Sequence, residues 1–77
     1  MTAENNPPTQ IVLKQEPTEL YKILKFEGLL ASGAEAKNAI AEGLVLVNGE
    51  VETRKRKKIV AGDVIKFADN ILKIVTE

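Results

Sequence analysis

The sequence predicts an α+β fold in which two N-terminal helices pack on a small antiparallel sheet of short hairpins. Three observations carry this. Apolar residues recur at helical spacing as far as Gly43 and at extended spacing beyond it. Asn48-Gly49 and Ala68-Asp69-Asn70 are turn sequences, each flanked by short runs rich in Val, Ile and Leu. A sheet this small must also have its apolar face covered, and the helix pair is the available cover.

The elements follow in chain order. Residues 1–10, MTAENNPPTQ, are polar apart from Met1 and Ala3, and are expected to form a flexible tail ahead of a single domain over 11–77. Ile11-Val12-Leu13-Lys14 allows one short strand. A first helix is expected over Pro17–Glu27, with Pro17 in its first turn, Glu19 at the positive end of the dipole, and Leu20, Ile23 and Leu24 on one face. Gly28 supplies its stop, and Leu29 and Leu30 fill the joint that follows. Ser32-Gly33-Ala34-Glu35 has the spacing of a capping box, which opens a second helix with Ala36, Ala39 and Ile40 as a narrow apolar stripe. Gly43 ends it.

Leu44–Val47 then leads into Asn48-Gly49, the strongest short hairpin signal, and Val51 lies beyond the turn. Ile59-Val60 precedes a second turn at Gly62-Asp63. Val64–Phe67 and Ile71–Val75 form the last hairpin. Between the two hairpins lies Thr53-Arg54-Lys55-Arg56-Lys57-Lys58, with five consecutive cations. Fully extended, it would put Arg54, Arg56 and Lys58 on one side and Lys55 and Lys57 on the other, so neither side could enter a core. It is therefore a loop or a wet strand edge.

Composition excludes several functions. A chain of 77 residues makes one thin core, burying only about 60% of its unfolded surface. It contains no Cys and no His, which removes thiolate nucleophiles, soft metal ligands and the usual proton shuttle. Glu50 and Glu52 stand two apart beside a turn, a commonplace spacing, and no constellation for acid–base or nucleophilic work is evident. We expect no catalytic residues, no metal and no cofactor. No apolar run approaches the roughly 18 residues of a membrane span, so a soluble, cytoplasmic protein is expected, with no membrane partner. No long apolar heptad demands a partner, so a monomer is expected.

The formal net charge is zero, yet residues 1–52 hold 4 basic and 8 acidic side chains while residues 53–77 hold 7 and 3. A neutral sum argues against nucleic acid as a partner, but salt screens fields beyond about 8–10 Å, so local clustering outweighs the total. Taken alone, a basic run is more often a solubilising face than a binding site.

The segment 20–67 resembles the RNA-binding domain named after ribosomal small-subunit protein four, also called the alpha-L motif. The resemblance rests on Gly28, Ser32, Glu35-Ala36-Lys37, the GLVLVNG hairpin at 43–49 and VAGDVI at 60–65, in the family's order. The stretches GAEAK, IAEG and VETRKRKKIVAG look closer still to the stand-alone bacterial YbcJ-like subfamily. Two motifs depart from the pattern. The family commonly follows its Ser with Arg, where this chain has Gly33, and it often opens its first helix Arg-Leu-Asp-Lys, where this chain has Glu19-Leu20-Tyr21-Lys22.

The resemblance implies a non-catalytic protein that binds structured RNA, ribosomal or transfer RNA or the ribosome itself, through backbone phosphates. Arg54, Lys55, Arg56, Lys57 and Lys58 then become the main contact, since gathered cations release counterions condensed on phosphate and Arg adds a planar fork. Lys37 and Lys22 match basic family positions. Lys25 is a further candidate. Ser32 and Gly33 join them because free amides at a helix start attract phosphate, although capping alone also explains Ser32. Tyr21, Phe26 and Phe67 are the only aromatics, with Phe67 expected in the core, so the stacking platform of a single-strand reader is lacking and folded RNA fits better. The alternative is a protein-interaction adaptor that sets the basic patch against an acidic protein partner.

Overall fold

The computed structural model describes residues 8–76; the expected tail falls mostly on residues 1–7, outside that range. The elements are β1 (Thr9–Leu13), β2 (Thr18–Glu19), α1 (Leu20–Phe26), α2 (Gly33–Ala41), β3 (Val45–Val47), β4 (Glu50–Val51), β5 (Lys58–Ile59), β6 (Val64–Phe67) and β7 (Asn70–Thr76). β1 begins two residues before the expected domain start at 11.

The main sheet has the order β1-β7-β6-β3-β4, and β2 and β5 form a separate two-stranded ribbon. The sheet is mixed, not purely antiparallel. β1 pairs parallel with β7, Thr9 opposite Leu72 through Leu13 opposite Thr76, while the other pairs are antiparallel. Parallel pairing needs no turn between neighbours, so no local sequence signal marks it. Alternate residues Ile11 and Leu13, Val45 and Val47, and Leu72 and Ile74 face inward and are buried. Leu20, Ile23 and Leu24 of α1 and Ala36, Ala39 and Ile40 of α2 complete the core.

Both helices stop as expected, through one device. Gly28 and Gly43 take φ of 75° and 80°, which glycine adopts without strain. The amides of Gly28 and Leu29 then donate to the carbonyls of Lys25 and Leu24, and those of Gly43 and Leu44 to Ile40 and Ala39. These are Schellman closures, which satisfy carbonyls the helix leaves unpaired. At the head of α2, Ser32 Oγ accepts from the Glu35 amide at 3.2 Å, forming the hydroxyl half of the capping box.

The start of α1 differs from expectation. Pro17 follows a cis peptide bond and lies outside the helix, because Thr18 and Glu19 are extended and pair with Ile59 and Lys58. Glu19 is the N-cap residue, but its side chain makes no capping hydrogen bond. Instead the amides of Leu20 and Tyr21 donate to the carbonyls of Lys57 and Lys55, at 2.9 and 3.3 Å. The backbone of the basic loop thus caps α1.

The turns are braced by side chains. Asn48 has φ of 54°, as its hairpin turn requires; its Nδ2 donates to Asp63 Oδ1 at 3.0 Å, and its Oδ1 accepts from the Val64 amide at 2.9 Å. Asp63 Oδ2 accepts from the Val60 amide, and Glu16 Oε2 accepts from the Ala61 amide. The basic loop is therefore bounded by a segment tied at several points. Ile59, fully buried, is its anchor in the core. Ile59→Ala is expected to lower unfolding free energy by about 2–5 kcal/mol, as truncation of a buried aliphatic does. Urea unfolding followed by circular dichroism measures this, and a loss below about 0.5 kcal/mol would show the loop to be held some other way.

Candidate nucleic-acid interface

The basic run is neither straight nor alternating. The Lys57 amide donates to the Arg54 carbonyl at 3.2 Å, closing a turn, and Lys58 enters β5. The expected division of Arg54, Arg56 and Lys58 from Lys55 and Lys57 across an extended strand is thus replaced by a bend. The cause lies far along the chain: the carbonyls of Lys55 and Lys57 both accept from amides at the start of α1.

The bend brings side chains from three segments to one aromatic ring. Lys37 Nζ of α2 lies 4.6 Å from the centre of the Tyr21 ring, Arg56 Cζ of the loop 5.6 Å, and Lys22 Nζ of α1 6.0 Å. A ring face is electron-rich, and each such contact contributes about 0.5–1 kcal/mol at an exposed site. Tyr21 is half-buried and packs against the core, so it is a fixed post around which the cations collect. Gly33 borders it as well: a Cβ there would stand 3.6 Å from Tyr21 Cε2, ordinary contact.

Carboxylates temper the cluster. Glu19 sits between Lys22, at 3.5 Å, and Arg56, at 3.6 Å. Burial alone would raise its pKa, but the charges of Lys22 and Arg56, a hydrogen bond from Lys22 and the nearby Lys58 outweigh that and hold it below the ordinary value of 4.5. Glu52 accepts from Arg54 through both oxygens, at 2.8 Å from Nε and 3.2 Å from Nη2, and its Oε2 also accepts from the Arg54 amide. The hydrogen bond from the Arg54 side chain, against some burial, lowers the Glu52 pKa and raises that of Arg54. Arg54 is still 71% exposed and Arg56 65%, so each can meet a second anion.

Of the sequence-predicted residues, Lys22, Gly33, Lys37 and Arg56 come together around Tyr21. Ser32 adjoins them as the helix cap. Lys58 lies close enough to act on Glu19 and Lys57 on Glu52; among the described residues, no carboxylate lies within ion-pair distance of Lys55, Lys57 or Lys58. Lys25 is apart, with its Nζ 5.6 Å from the Phe26 ring. Sequence reasoning missed Tyr21, Glu19 and Glu52 as organisers. The i, i+3 spacing of Glu19 and Lys22 and the closeness of Glu52 to Arg54 were available signals; nothing local could place Lys37 or Arg56 on Tyr21.

Among the described residues no group of acidic side chains is placed to hold a metal ion. Nor is any helix among them long and apolar enough to cross a membrane. The site offers fixed positive charge on a folded scaffold, and that is the chemistry of anion recognition.

The chain belongs to the S4 domain family, whose model matches residues 11–75. It is 55% identical over 62 residues to "Putative RNA-binding protein YbcJ" of Escherichia coli (strain K12), a match covering 80% of this chain and 89% of that one. An uncharacterized YbcJ of Shigella flexneri matches equally. The solution structure of E. coli YbcJ, described as revealing an αL motif involved in RNA-binding, has the same fold. It shares 47% identity and a TM-score of 0.69 over 97% of this chain and 96% of that one.

The two depressed carboxylates make an acid limb in stability. A group with a lowered folded pKa adds stability above its unfolded value and loses it as pH falls through the folded one. Thermal midpoints are therefore expected to hold from neutrality down to about pH 5 and to fall below 4.5. Glu19→Gln with Glu52→Gln should flatten that decline. Identical slopes in the variant and the parent would show that these pairs do not couple to folding.

Proposed function

We propose that the chain is a non-catalytic RNA-binding module that docks structured RNA through its phosphates, with the Tyr21 cluster and the basic loop as the contact. The observation that carries this is the convergence of Lys22, Lys37 and Arg56, from three separate segments, on one half-buried ring. Chance surface lysines repel and disperse; here a folded core holds them together. Membership of the S4 domain family and the RNA-binding named for YbcJ support the same reading.

The mechanism is electrostatic docking. Phosphates displace Glu19 and Glu52 from the cations they temper and release condensed counterions. Arg54 and Arg56 grip phosphate oxygens in pairs, and the lysines follow the backbone as point charges. Tyr21 is occupied by its own cations and Phe67 packs against the core, so no row of rings remains for a single strand. Folded RNA, ribosomal or transfer, suits the site, and the protein acts in the cytoplasm as a monomer on such RNA or on the ribosome. Gly33, in place of the family's usual Arg, leaves the α2 corner open, and Arg56 supplies the charge from the loop.

Lys37→Gln with Arg56→Gln is expected to reduce the slope of log affinity against log salt by about 2 for a folded RNA, roughly one per lost phosphate contact, with native circular dichroism. An unchanged slope would move the contact elsewhere. Tyr21→Leu keeps the apolar packing and removes the ring, so it should lower RNA affinity by about 3- to 10-fold through loss of cation positioning; equal affinity would show the ring to be structural only. Ribonuclease treatment of the purified complex separates this function from protein adaptation: release of the bound material supports RNA, while one retained acidic protein supports the adaptor.

A further inference from the structure

Beside the Tyr21 cluster runs a groove of about 780 Å³, walled by α1 on one side and by β1 with the following 14–19 segment on the other. One stripe of α1 and its N-cap residue lines it, Glu19, Lys22, Ile23 and Phe26, at the i, i+3, i+4, i+7 spacing that shares a helix face. Val12 and Lys14 stand on the β1 side, and Arg56 and Lys58 enter from the basic loop. Two apolar groups here are unusually open: Phe26 is 67% exposed and Val12 49%. Tyr21 and Phe67 pack against the core and Phe26 does not; its ring meets one cation, Lys25, and it is the most open of the three rings to stacking.

Charge selects the occupant. The groove lining carries Lys14, Lys22, Arg56 and Lys58 against Glu19 and Glu27, an excess that favours an anion with a flat apolar part. Lys22 and Arg56 belong to both the groove and the ring cluster, so the same polyanion meets the two together. The cations of the loop sit at the start of α1 and Phe26 at its end, roughly 9 Å apart along the axis at about 1.5 Å per residue. That suits the span from a nucleotide's phosphate to its base. Lys25, with its Nζ 5.6 Å from the Phe26 ring, adds charge at the base end.

We propose that this groove takes one unpaired nucleotide of the bound RNA, its base stacked on Phe26 and its phosphate held by Lys22, Arg56 and Lys58. This deepens the RNA reading above and rests on it. A single ring accepts a single extruded base, so the protein selects folded RNA that carries a bulge beside a helix, in preference to a continuous duplex or an open strand. β1 is an edge strand, and an extended peptide laid along it is the competing occupant; the cationic lining favours the nucleotide.

The test uses the full chain and two RNA probes, a fully paired hairpin and the same hairpin with one bulged 2-aminopurine. The bulged probe is expected to bind at least about 5-fold tighter, with its fluorescence quenched on binding. Phe26→Ala and Phe26→Leu should abolish the advantage and the quenching while leaving the paired hairpin's affinity unchanged, and Phe26→Trp should keep both. Phe26 is exposed, so native circular dichroism is expected for all three. An advantage that survives Phe26→Ala, or no advantage in the parent, overturns the proposal and leaves the RNA reading standing if the paired hairpin binds. Failure of both probes to bind overturns both readings.

Discussion

Two backbone hydrogen bonds, from the amides of Leu20 and Tyr21 to the carbonyls of Lys57 and Lys55, decide where the charge of this molecule stands. A helix start leaves amides without partners, and α1 has no side-chain cap. The basic loop supplies its carbonyls instead. In return the loop is bent and pinned beside the helix, which brings Arg56 to the Tyr21 ring. Adjacent cations repel by about 1 kcal/mol at 4 Å in water, so a free loop would splay. The β2–β5 ribbon and the buried Ile59 oppose that.

The same charges are held in check from within. Glu19 and Glu52 engage Lys22, Arg56 and Arg54, yet exposed ion pairs contribute only about 0–1 kcal/mol each. They orient the cations without consuming them, since the paired Arg54 and Arg56 side chains stay largely exposed. Charge neutrality over the whole chain and a strongly positive local face are therefore compatible. The departures from the family pattern fit this picture: the acid commonly found beside the first-helix Lys is replaced by Tyr21, and the Arg after Ser32 by Gly33, with the ring and Arg56 now at that corner.

Much of the fold was legible in the sequence because its signals are local. Gly28 and Gly43 stop helices through a positive φ, Ser32 caps one, and Asn48-Gly49 turns a hairpin; each depends on residues within a few positions. What could not be read depends on distant partners. β2 and β5 are two residues each, too short for any periodicity, and they moved the start of α1 from Pro17 to Leu20. β1 joins β7 across nearly the whole chain. Five cations of the candidate site, Arg54 to Lys58, were legible as a run, and so was the loop that carries most of them. Their gathering on Tyr21 was not, since Lys37, Arg56 and Tyr21 meet only after the helices and the loop have packed.

The parallel pairing of β1 with β7 has a temporal consequence. Although it comes last among the described elements, β7 lies inside the sheet, between β1 and β6, so β1 has no neighbour in the sheet until residues 70–76 are made. Contacts this remote along the chain slow folding, and an interrupted or trimmed product would lack an interior stave of the sheet instead of a dispensable border. Synthesis of β7 is thus required before the core can close.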